Sequence, residues 1–217
     1  MDSKRSVCGV ILAAGASSRM GSDKALLPWP TVTPGSAEST GATLLSASIA
    51  SLKPYTEAIV VVAGKNAENI APVIAANGAS MIRNPDPDRG QFSSLQVGLH
   101  EALARGWNAA MITLVDCPPL SAASLNKLCI SFDQALARGK WGVAPENNGR
   151  RGHPLLAGRA LIDAFLEAPV TSNAREIKRA NAQMIESVPV LDSLVSVDVN
   201  TPEEYAALLS AAGLKPR

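Results

Sequence analysis

Residues 7–24 read VCGVILAAGASSRMGSDK, and the change of character after Ala13 decides how the chain folds. Val7–Ala13 is apolar throughout, with no polar residue alternating along it. A run so short and so continuous predicts a strand covered on both faces. Beyond Ala13 the residues are small and then cationic: Ala14, Gly15, Ala16, Ser17, Ser18, Arg19, and after Gly21 the pair Asp23 and Lys24. Small residues let a backbone come close to a ligand and turn its N–H groups outward, as phosphate-binding loops do. Arg19 and Lys24 add the positive charge that phosphate needs. The spacing is neither GxxxxGK[ST] nor GxGxxG, so neither a P-loop nor a dinucleotide fingerprint is present.

Working outward, further short apolar runs predict buried strands at Ala58–Ala63, 79–82, 109–115, 141–144 and 194–197. Between them, apolar residues recur every three or four positions over 43–52, 94–104, 121–136 and 201–209, which predicts helices. Ser121 reads as an N-cap, and Thr201-Pro202-Glu203-Glu204 as a capped helix start with acids at the positive end of the dipole. Alternating strands and helices predict a three-layer α/β/α fold around a mostly parallel, Rossmann-like sheet. Ligands of such sheets bind beyond the carboxyl ends of the strands, so the residues after each strand carry the chemistry. Residues 31–41 (TVTPGSAESTG) and the segment NPDPDRG that starts at Asn84 read as surface loops.

Composition bounds the rest. The 217 residues are 47% apolar, 18% charged and 4% aromatic, with a net charge of +1, which excludes disorder. No apolar run reaches the roughly 18 residues of a membrane span, and the N-terminal run reads as a strand rather than a signal peptide. Balanced charge gives no reason to expect nucleic acid or an anionic membrane as a partner. Three cysteines without CxxC spacing argue against disulfides or structural zinc and fit a reducing, cytoplasmic setting. The length fits one domain over 1–217.

The order LAAGASSRMGSDKALLP (12–28) resembles the LAAGxxxRMGxxK signature of the MobA-like NTP transferase family, which includes molybdenum-cofactor cytidylyl- and guanylyltransferases. Four later segments resemble the family in order and spacing: NPDPDRGQFSSLQVGL (84–99), LVDCPPL (114–120), GRRGHPL (149–155) and VDVNTPEEY (197–205). The resemblance implies the nucleotide-diphospho-sugar transferase type of sheet and a magnesium-dependent transfer of NMP to a phosphorylated acceptor such as molybdopterin, with release of pyrophosphate. It implies nucleotide binding by Leu12, Ala13, Ala14, Gly15, Arg19, Lys24, Asn84, Gly90, Ser93, Ser94 and Asp116, and acceptor contact at Gly152 and His153. Arg19, Lys24 and Asp116 are the expected catalytic groups. It extends to a molybdenum-enzyme apoprotein as a partner that receives the product.

Asp116 follows a buried strand, where a lone carboxylate is costly unless it pairs or binds a cation. Magnesium takes one or two protein oxygens plus phosphates, so a second ligand is expected near the C-terminus. The family has Asp where this chain has Asn200; the amide oxygen can coordinate, and Asn200 is preferred over Asp198, which lies on the same face of an extended segment. Ser93 or Ser94 can equally serve as an N-cap. His153 reads as a structural or substrate contact rather than a base, and Cys117 as a small buried residue rather than a nucleophile. Arg150, Arg151, Arg175 and Lys178 are candidates for holding an anionic acceptor. Ala14 stands where guanylyltransferases carry a second glycine, and its methyl narrows the base pocket toward a pyrimidine, hence CTP. GTP use, a sugar-phosphate or methylerythritol-phosphate acceptor, and a non-catalytic nucleotide-binding maturation factor are the alternatives. A dinucleotide-dependent oxidoreductase is disfavoured because GxGxxG is missing.

Overall fold

The computed structural model describes residues 6–29, 41–169 and 171–211. The opening strand β1 (Val7–Ala13) is buried along its length, and its side chains alternate between two apolar layers. Ile11 and Ala13 face one layer; Cys8, Val10 and Leu12 face the other. This two-sided burial is why the run carries no polar alternation.

The chain continues in the order α1 (Leu44–Leu52), β2 (Ala58–Ala63), α2 (Ala67–Ala76), β3 (Ser80–Arg83), α3 (Gln91–Ala104), β4 (Ala109–Leu114) and α4 (Ala122–Ala137). Then come β5 (Gly142–Asn147), β6 (Arg150–Arg151), β7 (Leu155–Ala157), α5 (Arg159–Glu167), α6 (Ala174–Ala180), β8 (Ile185–Pro189) and α7 (Pro202–Ala211). Among the described residues the sheet runs β3-β2-β1-β4-β7-β5-β6, with β8 on the other edge of β5. The β1, β2, β3 and β4 pairings are parallel, as is β5 with β8. Strand β7 runs antiparallel between β4 and β5, and β6 antiparallel to β5. Helices α1, α2 and α4 cover one face through Leu45, Ile49, Ile70, Ile74, Leu128 and Phe132. Helices α3 and α5 cover the other through Leu95, Leu99, Leu161, Ile162 and Phe165. Each large apolar side chain so buried contributes about 1.5–3 kcal/mol.

Local sequence explains the helix starts. Thr43 and Ser46 form a capping box, and Ser121 accepts the Ser124 N–H as its N-cap. Thr201 accepts the Glu204 N–H at 3.3 Å, while the Glu204 carboxylate accepts the N–H groups of Asn200 and Thr201 at 2.7 and 3.2 Å. Pro202 opens α7 where its missing N–H costs nothing.

Two expectations are corrected. Residues 194–197 are not a strand: Ser193–Ser196 is a 3-10 turn, because the Asp192 carboxylate accepts the Leu194 N–H and starts the turn. The last strand is instead Ile185–Pro189, whose mixed sequence suits its place at the edge of the sheet. Helix α3 begins at Gln91 behind Gly90, so Ser93 and Ser94 lie inside its first turn and do not cap it. The expected loop at 31–41 lies outside the described residues except for Gly41. No described helix is long and apolar enough to cross a membrane.

Candidate functional site

The parallel strands bring the loops after β1, β2, β3 and β4 to one edge, where they surround a cavity of about 690 Å³. Leu12, Ala13, Ala14, Gly15, Lys24, Gly90, Ser94 and Asp116 line it. The loop after β1 is held from below. A Cβ on Gly64 would fall 2.6 Å from the Ala14 carbonyl oxygen, so only glycine lets the end of β2 support the loop this closely. Asn66 donates its amide hydrogens to the Ala13 carbonyl at 3.0 Å and the Asp23 carboxylate at 2.8 Å, and accepts the Gly64 N–H. Asp23 in turn accepts the Ala25 N–H at 3.0 Å, and the Ser17 hydroxyl accepts the Lys24 N–H at 3.2 Å. Asn66 was missed in the sequence, although it lies just past a predicted strand at the carboxyl edge, where the sheet rule directs attention.

Lys24 is the hub. Its ammonium donates to Asp116 Oδ2 at 3.0 Å and to Asn200 Oδ1 at 2.8 Å. The side chains of Lys24 and Asp116 are only 12% and 20% exposed, which strengthens the pair relative to one in open water. Arg19 donates to the same Asn200 oxygen at 3.2 Å. Asn200 reaches this point because the Val199 N–H bonds the Asp116 carbonyl at 2.9 Å and Glu204 holds the Asn200 backbone. Asp198 does not join it; its carboxylate accepts the Cys117 thiol at 3.1 Å. The structure thus brings Asn200, not Asp198, into contact with the cations.

The residues fit a divalent metal. Two hard oxygens, one charged, converge on one nitrogen at 3.0 and 2.8 Å, and magnesium favours such oxygen sets completed by phosphates and water. Among the described residues no cluster of three or more His, Cys, Asp or Glu forms a self-sufficient metal cage, so substrate oxygens would have to complete the shell.

At the β3 end, Asn84 is 3% exposed. It donates to the Ser93 and Ser94 hydroxyls at 2.9 Å each and accepts the Asp86 N–H at 3.0 Å. Asn84 and Ser93 therefore brace the loop, while Gly90 and Ser94 face the cavity. Lys65 and Asp88, also at the rim, form an ion pair at 2.7 Å that went unread in the sequence.

Gly152 and His153 lie apart from this cavity. They interrupt the strand that β6 and β7 would otherwise form along β5: Arg151 pairs with Glu146 and Leu156 with Val143, leaving two extra residues on the β6–β7 side. The turn entering β6 is Asn148-Gly149, both with positive φ, an Asn-Gly hairpin signal legible in the sequence but not used there. A Cβ on Gly152 would lie 1.5 Å from the Val195 carbonyl oxygen. The His153 ring nitrogen Nδ1 lies 3.4 Å from the Ile112 carbonyl; burial, aided by the Lys178 charge, pulls its pKa below 6.5. Burial pushes the Cys117 thiol well up, and Asp198 and Asp116 add to it, so it is no nucleophile.

The model of the MobA-like NTP transferase domain matches residues 9–186. The chain is 24% identical over 197 residues to the molybdenum cofactor cytidylyltransferase of Escherichia coli K12, covering 90% of this chain and 92% of the relative. It is 28% identical over 198 residues to a probable molybdenum cofactor guanylyltransferase of Rhodopirellula baltica, covering 90% and 88%. It is 30% identical over 213 residues to nicotine blue oxidoreductase of Paenarthrobacter nicotinovorans, covering 94% and 96%. Rv0371c of Mycobacterium tuberculosis H37Rv, solved in complex with manganese, has the same fold: TM-score 0.68 at 20% identity, over 95% of this chain and 99% of that one. The match over most of its length places this chain in the MobA-like NTP transferase family, as a nucleotidyltransferase.

Proposed function

We propose that the chain transfers CMP from CTP to a phosphorylated acceptor such as molybdopterin and releases pyrophosphate. The observation that carries this is Lys24, which lines a cavity with Asp116 and Leu12–Gly15 and donates to Asp116 at 3.0 Å and to Asn200 at 2.8 Å. In the reaction an acceptor oxygen attacks the α-phosphorus as pyrophosphate leaves. The loop after β1 presents its backbone to the triphosphate, and Lys24 and Arg19 offset the charge that builds on the α-phosphate and the leaving group. Asp116 and Asn200 would hold a magnesium ion, which when bound would supply charge neutralisation and orientation to the phosphates. An acceptor that is already an anion needs no strong base, so no side chain is assigned that role. Reaction by positioning requires no covalent enzyme intermediate.

CTP is preferred because Ala14 lines the cavity and cannot retreat: the tight Gly64 contact lies directly behind it. Incubating the protein with magnesium, molybdopterin and either CTP or GTP, and measuring pyrophosphate, tests both parts. CTP turnover above GTP turnover supports the reading; equal or greater GTP turnover removes the pyrimidine preference. Replacing molybdopterin with sugar phosphates or methylerythritol phosphate tests the acceptor.

A second reading rests on the 30% identity to an oxidoreductase over nearly the whole chain. It predicts redox turnover of an organic substrate and no pyrophosphate from any nucleotide. The Lys24–Asp116–Asn200 arrangement favours the transferase.

A further inference from the structure

We propose that the Lys24 ammonium is a built-in counter-ion, which keeps the oxygens of Asp116 and Asn200 closed to a divalent metal until the phosphates of a nucleotide draw it away. Metal is then admitted with the nucleotide and not ahead of it. The proposal rests on the metal reading of this site and adds the order in which its ligands bind.

An amide oxygen has two lone pairs. On Asn200 Oδ1 both are taken, by the Lys24 ammonium at 2.8 Å and by an Arg19 guanidinium N–H at 3.2 Å. The same ammonium donates to Asp116 Oδ2 at 3.0 Å. Asn200 therefore offers its oxygen to a metal only after one of these cations leaves. Charge works in the same direction. A divalent ion added to Lys24 and Arg19 would set three cations against Asp116, the only carboxylate that either side chain bonds among the described residues. Lys24 and Asp116 are mostly withdrawn from water, so that repulsion is poorly screened.

The ammonium has a second place to go. The Lys24 backbone is fixed, since its N–H bonds the Ser17 hydroxyl at 3.2 Å and Asp23 caps the turn it opens. Its four-carbon stem is flexible. Lys24 also lines the cavity beside Gly15, Ser17 and Ser18, on the loop assigned to the triphosphate. Phosphate oxygens on that loop compete for the ammonium without any backbone change, and Arg19, which is exposed, follows. A ligand moves such an equilibrium only by binding one arrangement better than the other. A triphosphate does so, because it bonds the withdrawn ammonium and brings the negative charge that a divalent ion needs. By linkage, the metal must strengthen nucleotide binding by the same factor.

The test titrates Mn²⁺ alone into the full chain as wild type, Lys24→Met and Lys24→Gln, with free ion read by electron paramagnetic resonance and folding checked by circular dichroism. Removing a merely structural tie would leave Mn²⁺ affinity unchanged or weaken it. Here both neutral variants are expected to bind Mn²⁺ at least fivefold more tightly than wild type, a gain that misfolding cannot mimic. Calorimetry then gives the affinity for the α,β-methylene analogue of CTP with and without saturating Mn²⁺. The ion should tighten nucleotide binding at least tenfold in wild type, and by a factor at least threefold smaller in either variant. A folded neutral variant whose Mn²⁺ affinity is no higher than that of wild type would overturn the proposal, as would a wild type whose nucleotide affinity ignores Mn²⁺. Mn²⁺ that binds none of the three proteins, with or without nucleotide, contradicts the metal reading itself; Mn²⁺ that binds all three equally contradicts the role of Lys24 alone.

Discussion

Lys24→Met keeps the aliphatic stem of the side chain and removes the ammonium that joins Asp116 to Asn200. At 3.0 Å and an effective dielectric of about 20, the Lys24–Asp116 attraction is worth about 5.5 kcal/mol before desolvation. The pair is mostly but not fully withdrawn from water, so desolvation and residual screening reduce the net contribution to folding to about 1–2 kcal/mol. For a chain of this size that is a Tm loss of about 2–8 °C. Catalysis should suffer more, since a preorganised cation aimed at developing charge is commonly worth about 10²–10³-fold in rate, or about 2.7–4 kcal/mol. Pyrophosphate release with CTP and acceptor, measured alongside thermal unfolding by circular dichroism, separates the two effects. The expected result is a folded variant with kcat/KM reduced at least a hundredfold. A variant whose rate stays within threefold of wild type while its Tm drops would show that Lys24 is a structural tie and not a phosphate clamp.

Other predictions rest on single contacts. Ala14→Gly removes the methyl that narrows the cavity, and the ratio of GTP to CTP turnover should rise at least fivefold; an unchanged ratio places base selection elsewhere. Gly64→Ala forces a methyl against the Ala14 carbonyl and should cost about 1–3 kcal/mol by urea unfolding together with several-fold weaker nucleotide binding. Stability and affinity equal to wild type would refute the close-packed support. Cys117→Ala removes the tie to Asp198 that helps align Asn200, so Mn²⁺ affinity measured by electron paramagnetic resonance should fall several-fold and recover in Cys117→Ser; equal affinities in all three proteins would count against that tie. His153 has a depressed folded pKa relative to its ordinary 6.5, so below pH 6.5 the unfolded chain binds the proton more readily. Its contribution is complete above pH 6.5 and declines as the pH falls toward the folded value. Urea unfolding of His153→Gln should therefore show a shallower loss of stability between pH 7 and 5 than wild type, and parallel curves would refute the buried neutral imidazole.

How much could be read before folding depended on how each segment is buried. Val7–Ala13 and Ala58–Ala63 were legible to the residue because both faces of each strand are covered and the apolar run has no gaps. Strands β6 and β7 were not: they are two and three residues long, too short for periodicity, and only the Asn148-Gly149 turn betrays the hairpin. Val195 misled because a buried apolar residue in a 3-10 turn reads like part of a strand. Within the site, Asp116 was visible from position, since it comes after a buried strand, and Lys24 from its charge among the small residues of the loop after β1 together with the family resemblance. The choice between Asn200 and Asp198 was not, because it turns on the Val199–Asp116 backbone bond and the Glu204 cap, both tertiary contacts. That the Asn84 amide braces the loop by donating to Ser93 and Ser94 was not legible either, because those contacts form only when α3 packs beside the end of β3.

The most direct test is the anomalous diffraction of manganese in crystals grown with the α,β-methylene analogue of CTP. The expected peak is bonded to Asp116 and Asn200, with the triphosphate along the loop after β1 and Lys24 on a phosphate oxygen. A peak on Asp198 without Asn200, or a nucleotide bound away from the cavity walled by Lys24 and Asp116, would contradict the assignment of this site.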